Sequence, residues 1–113
     1  MNMIVTPHTA FFGDAEYAFQ LRPALIIELE HKTGAGIGAL CSRVFARQFT
    51  QSDIQETIRL ALIGGGLKPE RAAALIASYA VDRPLSETYP VAVAILENVW
   101  FGQPNREAVD GQA

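Results

Sequence analysis

Residues 21–45 read LRPALIIELEHKTGAGIGALCSRVF, two helical patterns joined by a glycine-rich turn. Pro23 suits the first turn of a helix, because its missing N–H needs no partner there. Gly34 can adopt the positive φ of a helix C-cap, which predicts that the first helix ends near Thr33. The second pattern has an apolar and a polar face, formed by Ile37, Leu40, Cys41, Val44 and Phe45 and by Ser42, Arg43 and Arg47. This stretch therefore predicts two short consecutive helices, and it carries no catalytic group.

The segment before this stretch has the pattern of a β-hairpin. Two strand-like segments, 9–12 and 15–21, flank the dipeptide Gly-Asp, and glycine at the first central position suits a two-residue type II′ turn. With such a turn, side-chain alternation places Phe12 and Phe19 on one face and Phe11 on the opposite face. A longer loop would reverse this assignment.

A third helix is predicted to start among the N-cap candidates Thr50, Ser52 and Asp53, where Ser52 and Gln55 have the spacing of a capping box. Three consecutive glycines follow Ile63. Because glycine is costly inside a helix, we expect the third helix to end there.

Two more helices follow the glycines. Pro69 opens the fourth helix, and the sequence Asp-Arg-Pro at 82–84 ends it. Ser86 can cap the fifth helix, which places Pro90 in its tolerant first turn. Apolar residues cover more of this helix than one packing partner requires, so we expect it to be either central or part of an oligomer contact.

These elements predict an α+β, mainly α fold, with an N-terminal β-hairpin followed by about five short helices packed as a small bundle. A chain of 113 residues suits one hydrophobic core. We expect a single hairpin-plus-helical domain over residues 1–102. Residues 103–113 have almost no apolar content and are expected to form a flexible C-terminal tail.

Composition limits the functions and the compartment. Nine Lys and Arg against twelve Asp and Glu give a net charge of −3, which disfavours binding to nucleic acid. The single cysteine cannot form an internal disulfide, and the N-terminus lacks the pattern of a secretory signal. The longest strongly apolar segment, 90–101, is too short to cross a bilayer core of about 30 Å as a helix. We therefore expect a cytoplasmic protein with no membrane contact.

The chain offers few candidates for catalysis or ligand binding. His8 and His31 have neither metal-ligand spacing nor an adjacent nucleophile, and both are expected at the surface or in the hairpin. Cys41 falls in the apolar stripe of the second helix, where a thiol acts as a small hydrophobe. The glycine-rich runs lack the strand-to-helix context or the Ser/Thr ligand of nucleotide loops. We expect no enzymatic activity, no cofactor and no metal.

Aromatic side chains that could be exposed are the remaining functional candidates. Phe11, Trp100 and Phe101 either belong to the core or mark a partner-binding site, since so small a core has limited room for them. A two-stranded hairpin is marginal alone and must pack on helices or gain a strand from another chain. Both observations favour self-association.

The ordered set of elements resembles the tail-assembly chaperone family of phages and gene transfer agents, also labelled tail tube protein. The resemblance covers roughly residues 8–101. It depends on a hairpin, then Leu29-Glu30, then Gly34-Ala35-Gly36 before a Leu-rich helix, then the sequence Leu-Ile-Gly-Gly-Gly at 62–66 and an Ala-rich fourth helix.

This resemblance implies a non-enzymatic helper that binds the tape-measure protein in the host cytoplasm while tail-tube subunits assemble around it. It supplies no catalytic residues, and Phe11, Trp100 and Phe101 are nominated from the chain itself. The first alternative is a structural tail or tube component of the particle. The second is a small DNA-binding regulator in which the third and fourth helices imitate a helix-turn-helix.

Overall fold

The chain folds as an N-terminal β-hairpin followed by five helices, and the computed structural model describes residues 7–102. The elements are β1 (His8–Phe12), β2 (Ala15–Phe19), α1 (Pro23–Thr33), α2 (Ile37–Phe45), α3 (Gln51–Gly64), α4 (Pro69–Tyr79) and α5 (Leu85–Phe101). The predicted α+β, mainly α fold class is confirmed. The segment proposed as a C-terminal tail, 103–113, lies outside the described residues.

The hairpin has the two-residue loop that the sequence predicts. β1 and β2 pair in antiparallel fashion with Phe12 opposite Ala15. Gly13 has a φ of +71°, the sign that a type II′ turn requires at its first central residue. Phe12 and Phe19 are buried against the helices, whereas Phe11 is exposed on the other face. The assignment of faces from a two-residue turn is confirmed, although β2 ends two residues earlier than predicted.

The helices α1 and α2 match the pattern of residues 21–45. Gly34, with φ of +74°, closes α1 and donates its N–H to the Glu30 carbonyl at 2.8 Å. The Glu30 side chain then accepts a hydrogen bond from the Ile37 N–H at 2.8 Å, so one residue ends α1 and caps α2. The core residues of this helix pair are Leu29, Leu40, Cys41 and Val44.

The pattern of α2 predicts that Arg43 faces away from the protein, and this prediction is wrong. The Arg43 guanidinium donates to both carboxylate oxygens of Asp53, at 2.8 and 2.7 Å, and to the Thr33 carbonyl at 3.3 Å. The Asp53 side chain is fully buried and therefore needs a cation. Arg43 consequently joins α1, α2 and α3.

The capping box of α3 differs from the predicted one. The helix begins at Gln51, so Thr50 is the N-cap and Asp53 is the third helical residue. The Thr50 N–H donates to Asp53 at 2.9 Å, and the Asp53 N–H donates to the Thr50 hydroxyl at 3.1 Å. The prediction of Ser52 with Gln55 was wrong, because the start of the helix is fixed by a carboxylate that Arg43 already binds.

The helix α3 is the centre of the fold and packs against β2, α1, α4 and α5. At its end, a Cβ on Gly64 would collide with the backbone carbonyl of Gln20, and a Cβ on Gly65 with that of Ala18. The Gln20 N–H also donates to the Ala61 carbonyl at 2.9 Å. The glycines therefore end the helix as predicted and also let β2 approach it closely.

The helix α5 begins earlier than predicted. Its first turn is closed by a hydrogen bond from the Glu87 N–H to the Pro84 carbonyl at 2.9 Å, which makes Pro84 the N-cap and Leu85 the first helical residue. Ser86 therefore does not cap this helix. Pro90 is its sixth residue and lies beyond the first turn, so it leaves the Ser86 carbonyl without the usual helical donor.

One hydrophobic core contains buried residues from all seven elements. The middle of α5 contributes Ala92, Ile95 and Leu96 to it. The last turn of the same helix leaves the core, because Trp100 and Phe101 are exposed. The broad apolar surface of α5 is thus divided between a buried middle and an uncovered end.

Candidate interaction surface

The three aromatic residues nominated from the sequence are all at the surface. The exposed fractions are 65% for Phe11, 59% for Trp100 and 74% for Phe101. The structure brings Trp100 and Phe101 together in the last turn of α5 and places Phe11 separately, on the outer face of the hairpin. The interpretation of these rings as core residues is therefore excluded. Their role in binding a partner stays a prediction.

Phe11 borders a groove between the hairpin turn and the α4–α5 region, which we call the hairpin groove. It has a volume of about 360 Å³. Its lining residues are Phe11, Phe12, Gly13, Tyr79, Arg83, Glu87 and Val91. A Cβ on Gly13 would collide with the Tyr79 ring, so glycine is required for both the turn and the packing on α4. Arg83 and Glu87 form an ion pair at 2.9 Å and give the apolar groove a charged side.

The turn of the hairpin is held to α4 by a small polar cluster beside this groove. The Tyr17 hydroxyl donates to Asp14 at 2.5 Å, and Arg71 donates to Asp14 at 3.3 Å and to the Tyr17 hydroxyl at 3.2 Å. The hydrogen bond from Tyr17 is the main cause that lowers the pKa of Asp14. The cluster fixes the hairpin turn relative to α4 and thereby the position of Phe11.

Trp100 and Phe101 belong to a second surface, which we call the C-terminal patch. The patch encloses about 320 Å³ and is lined by Gly38, Cys41, Ser42, Phe45, Trp100 and Phe101. Cys41 is almost fully buried at its base, as the sequence predicts, and burial raises the pKa of its thiol. A protonated, buried thiol is a poor nucleophile, so this residue acts as part of the apolar surface.

A third surface was missed by sequence reasoning. We call it the aromatic groove; it has a volume of about 410 Å³ and is lined by Arg47, Phe49, Leu85, Ser86, Tyr89 and Pro90. The Phe49 and Tyr89 rings are stacked with centroids 5.1 Å apart, and the Arg47 guanidinium lies 5.7 Å from the centre of the Tyr89 ring. The Tyr89 hydroxyl donates to the Val44 carbonyl at 2.8 Å and fixes the ring.

No local sequence signal could have revealed this groove. Phe49 follows α2 and Tyr89 lies in α5, so only the packing of the two helices brings the rings together. The sequence correctly predicts that Arg47 faces away from the core, but its position above an aromatic ring depends on α5.

The other candidate residues show no shared site. His31 is exposed and His8 is half-buried, with its ring 6.3 Å from the Phe19 ring. Within residues 7–102 there is no group of three or more His, Cys, Asp or Glu side chains that could hold a metal ion. In that same part of the chain, no helix is long and apolar enough to span a membrane.

The fold is a small helical domain with a docked hairpin and with apolar patches on its described surface. Over residues 6–102 the chain matches the family model described as phage tail tube protein, GTA-gp10. The chain therefore belongs to this family, and the resemblance found from the order of its elements is confirmed. No curated protein and no solved structure shows a significant match.

Membership in this family establishes a general role in the tail of a phage or gene transfer agent or in its assembly. It also favours association with other tail components and with further copies of the chain. This general role agrees with the sequence-based prediction.

Proposed function

We propose that this chain is a non-enzymatic tail-assembly chaperone. In this role it binds the tape-measure protein in the host cytoplasm while tail-tube subunits assemble around the complex. The observation that carries the proposal is the exposure of large aromatic side chains, above all Phe11 beside the hairpin groove. Exposed apolar surface that a rigid fold holds in place is typical of a partner-binding site.

The hairpin groove suits an amphipathic helix of the tape-measure protein. Phe11, Tyr79 and Val91 offer apolar contacts. The Arg83–Glu87 ion pair lines the same groove and can form hydrogen bonds with polar side chains of a bound helix. A helix that binds in a groove needs an apolar stripe with polar flanks, which this combination can accommodate. Covering such stripes before the tube encloses them would delay their aggregation.

The proposal is tested by coexpressing the chain with a segment of the tape-measure protein that the same phage or gene transfer agent encodes. We expect the wild-type chain to keep the segment soluble and to copurify with it. Phe11→Ser should weaken this association about tenfold or more, as loss of an aromatic anchor does at interfaces.

Ile27→Ser is the matched control, because Ile27 is a 56% exposed apolar residue that lines none of the three surfaces. It should leave copurification unchanged. If the wild-type chain never associates with any tape-measure segment, or if the two variants behave alike, the proposal is wrong.

A second candidate function is that of a permanent structural component of the tail or tube. The description of the matching family as a tail tube protein favours it. Mass spectrometry of purified particles separates the two functions. A stoichiometric number of copies in mature particles would favour the structural role, whereas a chaperone should be absent from them.

The third function considered from the sequence, a DNA-binding regulator, has less support. Arg71 was one of the few basic residues at the leading end of the fourth helix, and its guanidinium is engaged by Asp14 and Tyr17. A gel-shift titration with duplex DNA at low salt addresses this function, since phosphate-driven binding is strongest there.

A further inference from the structure

The aromatic groove and the C-terminal patch both present aromatic side chains to a partner. The groove is concave, and its wall is formed by the stacked rings of Phe49 and Tyr89. The patch ends in two protruding aromatic side chains, of which Phe101 is the more exposed at 74%. An aromatic ring prefers offset or edge-on contact with other rings, which this groove offers.

The two surfaces also have complementary charges. Glu97 is exposed and lies one helical turn before Phe101, so the carboxylate and the ring are on the same side of α5. Arg47 is exposed at the aromatic groove. Between positions 7 and 102, neither Glu97 nor Arg47 takes part in an ion pair. The negative charge beside the patch is therefore opposite in sign to the positive charge at the groove.

One chain cannot join its own two surfaces. Tyr89 and Phe101 lie 12 residues apart on the continuous helix α5, which separates them by about 18 Å along the axis. The patch of one molecule can therefore enter only the groove of another.

We propose that a second copy of this chain binds the aromatic groove by inserting its Phe101. Trp100 of the second copy then lies against the edge of the groove, and its Glu97 faces Arg47 of the first copy. The contact is head-to-tail: each copy uses its patch toward one neighbour and its groove toward the next, so the assembly is a ring or an open chain. A symmetric contact between two C-terminal patches would instead bring two Glu97 carboxylates together and leave Arg47 unused.

This inference extends the proposed function, because it concerns the chain alone and residues outside the hairpin groove. Each aromatic side chain can bury about 150–250 Å². Two of them supply less than the roughly 1,000 Å² that a stable interface needs. The contact is therefore weak and reversible, and it must be measured at high concentration.

The experiment is sedimentation velocity of the full chain from about 10 µM to about 1 mM, a range that covers weak interfaces. The wild-type chain should form oligomers whose size grows with concentration. Phe101→Ser removes the inserted ring, and Leu85→Glu blocks the groove with a carboxylate. Each variant alone should associate about tenfold or more weakly than wild type.

An equimolar mixture of the two variants gives the decisive result. Phe101→Ser keeps an intact groove and Leu85→Glu keeps an intact patch, so the mixture should form a 1:1 dimer and no larger species. A symmetric contact between two C-terminal patches predicts a different result, because Leu85→Glu alone would then associate like wild type. Both substituted residues are exposed, and circular dichroism checks that each variant is folded.

Reversing the charge at two exposed positions tests the contact between Glu97 and Arg47 independently. Glu97→Arg and Arg47→Glu should each weaken association, and the double variant should restore it. Ile27→Ser is the control and should associate like wild type. A wild-type chain that stays monomeric at about 1 mM, a mixture that stays as monomeric as its components, or a double variant without restoration would overturn the proposal.

The two proposals fail separately. If the tape-measure segment copurifies with a chain that stays monomeric, only the head-to-tail contact is wrong. If copies associate as described but no tape-measure segment binds, only the chaperone function is wrong.

Discussion

At the scale of single residues, Asp53 is a buried charged group that links α2 to the start of α3. Its side chain is fully buried and receives hydrogen bonds from Arg43 and from the Thr50 N–H. Burial alone would raise the pKa of Asp53, but the hydrogen bonds and charge of Arg43 and the hydrogen bonds of Thr50 outweigh it. The pKa is therefore lowered from its ordinary value near 3.8.

A lowered pKa in the folded state has a defined effect on the pH dependence of stability. The ionised form is favoured by folding, so this stabilisation is fully present above the unfolded pKa of about 3.9. It is lost as the pH falls through the lower pKa of the folded state.

We predict that Asp53→Asn lowers the free energy of unfolding at pH 7 by about 2 kcal/mol, since it removes a charged partner from Arg43 and weakens the cap of α3. It should also flatten the decline of stability below about pH 4. Urea denaturation at several pH values measures both effects. Glu87→Gln is the control: its pair with Arg83 is exposed, and its loss should change stability little. Equal losses in the two variants would contradict this prediction.

At the scale of elements, the docking of the hairpin on α3 is the contact that helix propensity alone does not explain. Gly64 is the last residue of α3, where alanine is the better helix former. The backbone carbonyl of Gln20 nevertheless occupies the place of a Cβ at this position. A side chain there would push β2 away from the helix.

We predict different effects on stability for two Gly→Ala substitutions in helices. Gly64→Ala should destabilise the protein by about 2 kcal/mol or more, because a clash with backbone forces strand and helix apart. Gly38→Ala in α2 should be neutral or stabilise by up to about 1 kcal/mol, since its Cβ would lie 4.0 Å from the Trp100 ring and approach nothing else within that distance. Thermal melts followed by circular dichroism compare the two. Stabilisation by Gly64→Ala would show that β2 does not approach α3 so closely.

At the scale of the whole molecule, the shared core makes the hairpin and the helices one cooperative unit. Phe12 and Phe19 belong to the same cluster as the central residues of α3 and α5. Isolated hairpins of two strands are marginal, so β1 and β2 depend on this burial. We expect the hairpin to unfold together with the helices.

We predict that Phe19→Ala lowers the free energy of unfolding by about 3–5 kcal/mol, a large part of the total stability of a small domain. Phe11→Ala should change it by less than about 0.5 kcal/mol, because Phe11 is exposed on the other face of the hairpin. Denaturation followed by near- and far-ultraviolet circular dichroism should give coincident transitions in both variants. A separate early transition in Phe19→Ala would show that the hairpin unfolds independently.

Local sequence patterns predict the elements of this fold well. The turn of the hairpin, the helix between Pro23 and Gly34 and the stripe of α2 depend on neighbouring residues, and their bounds agree with the structure. The error at the cap of α3 depends on a residue of another helix, whereas the error at Pro90 depends only on where α5 starts. Asp53 joins the cap of α3 because Arg43 of another helix neutralises it, and Pro90 lies deeper in α5 because that helix starts at Leu85.

The candidate surfaces were only partly predictable. The sequence nominates Phe11, Trp100 and Phe101, but exposure is a property of the packed molecule, and residue type alone left core and surface equally open. The aromatic groove has no sequence signal, since one ring comes from the loop between α2 and α3 and the other from α5.

The sequence by itself determined the order and type of the elements, because turns, caps and apolar periodicity act over a few residues. It also determined the family, through the same order of elements. Tertiary structure decided which glycine contacts a strand, which arginine pairs with the buried Asp53 and which aromatic rings remain outside. These outcomes depend on residues far apart in the chain, and only close packing of the helices and the hairpin brings such residues within contact distance.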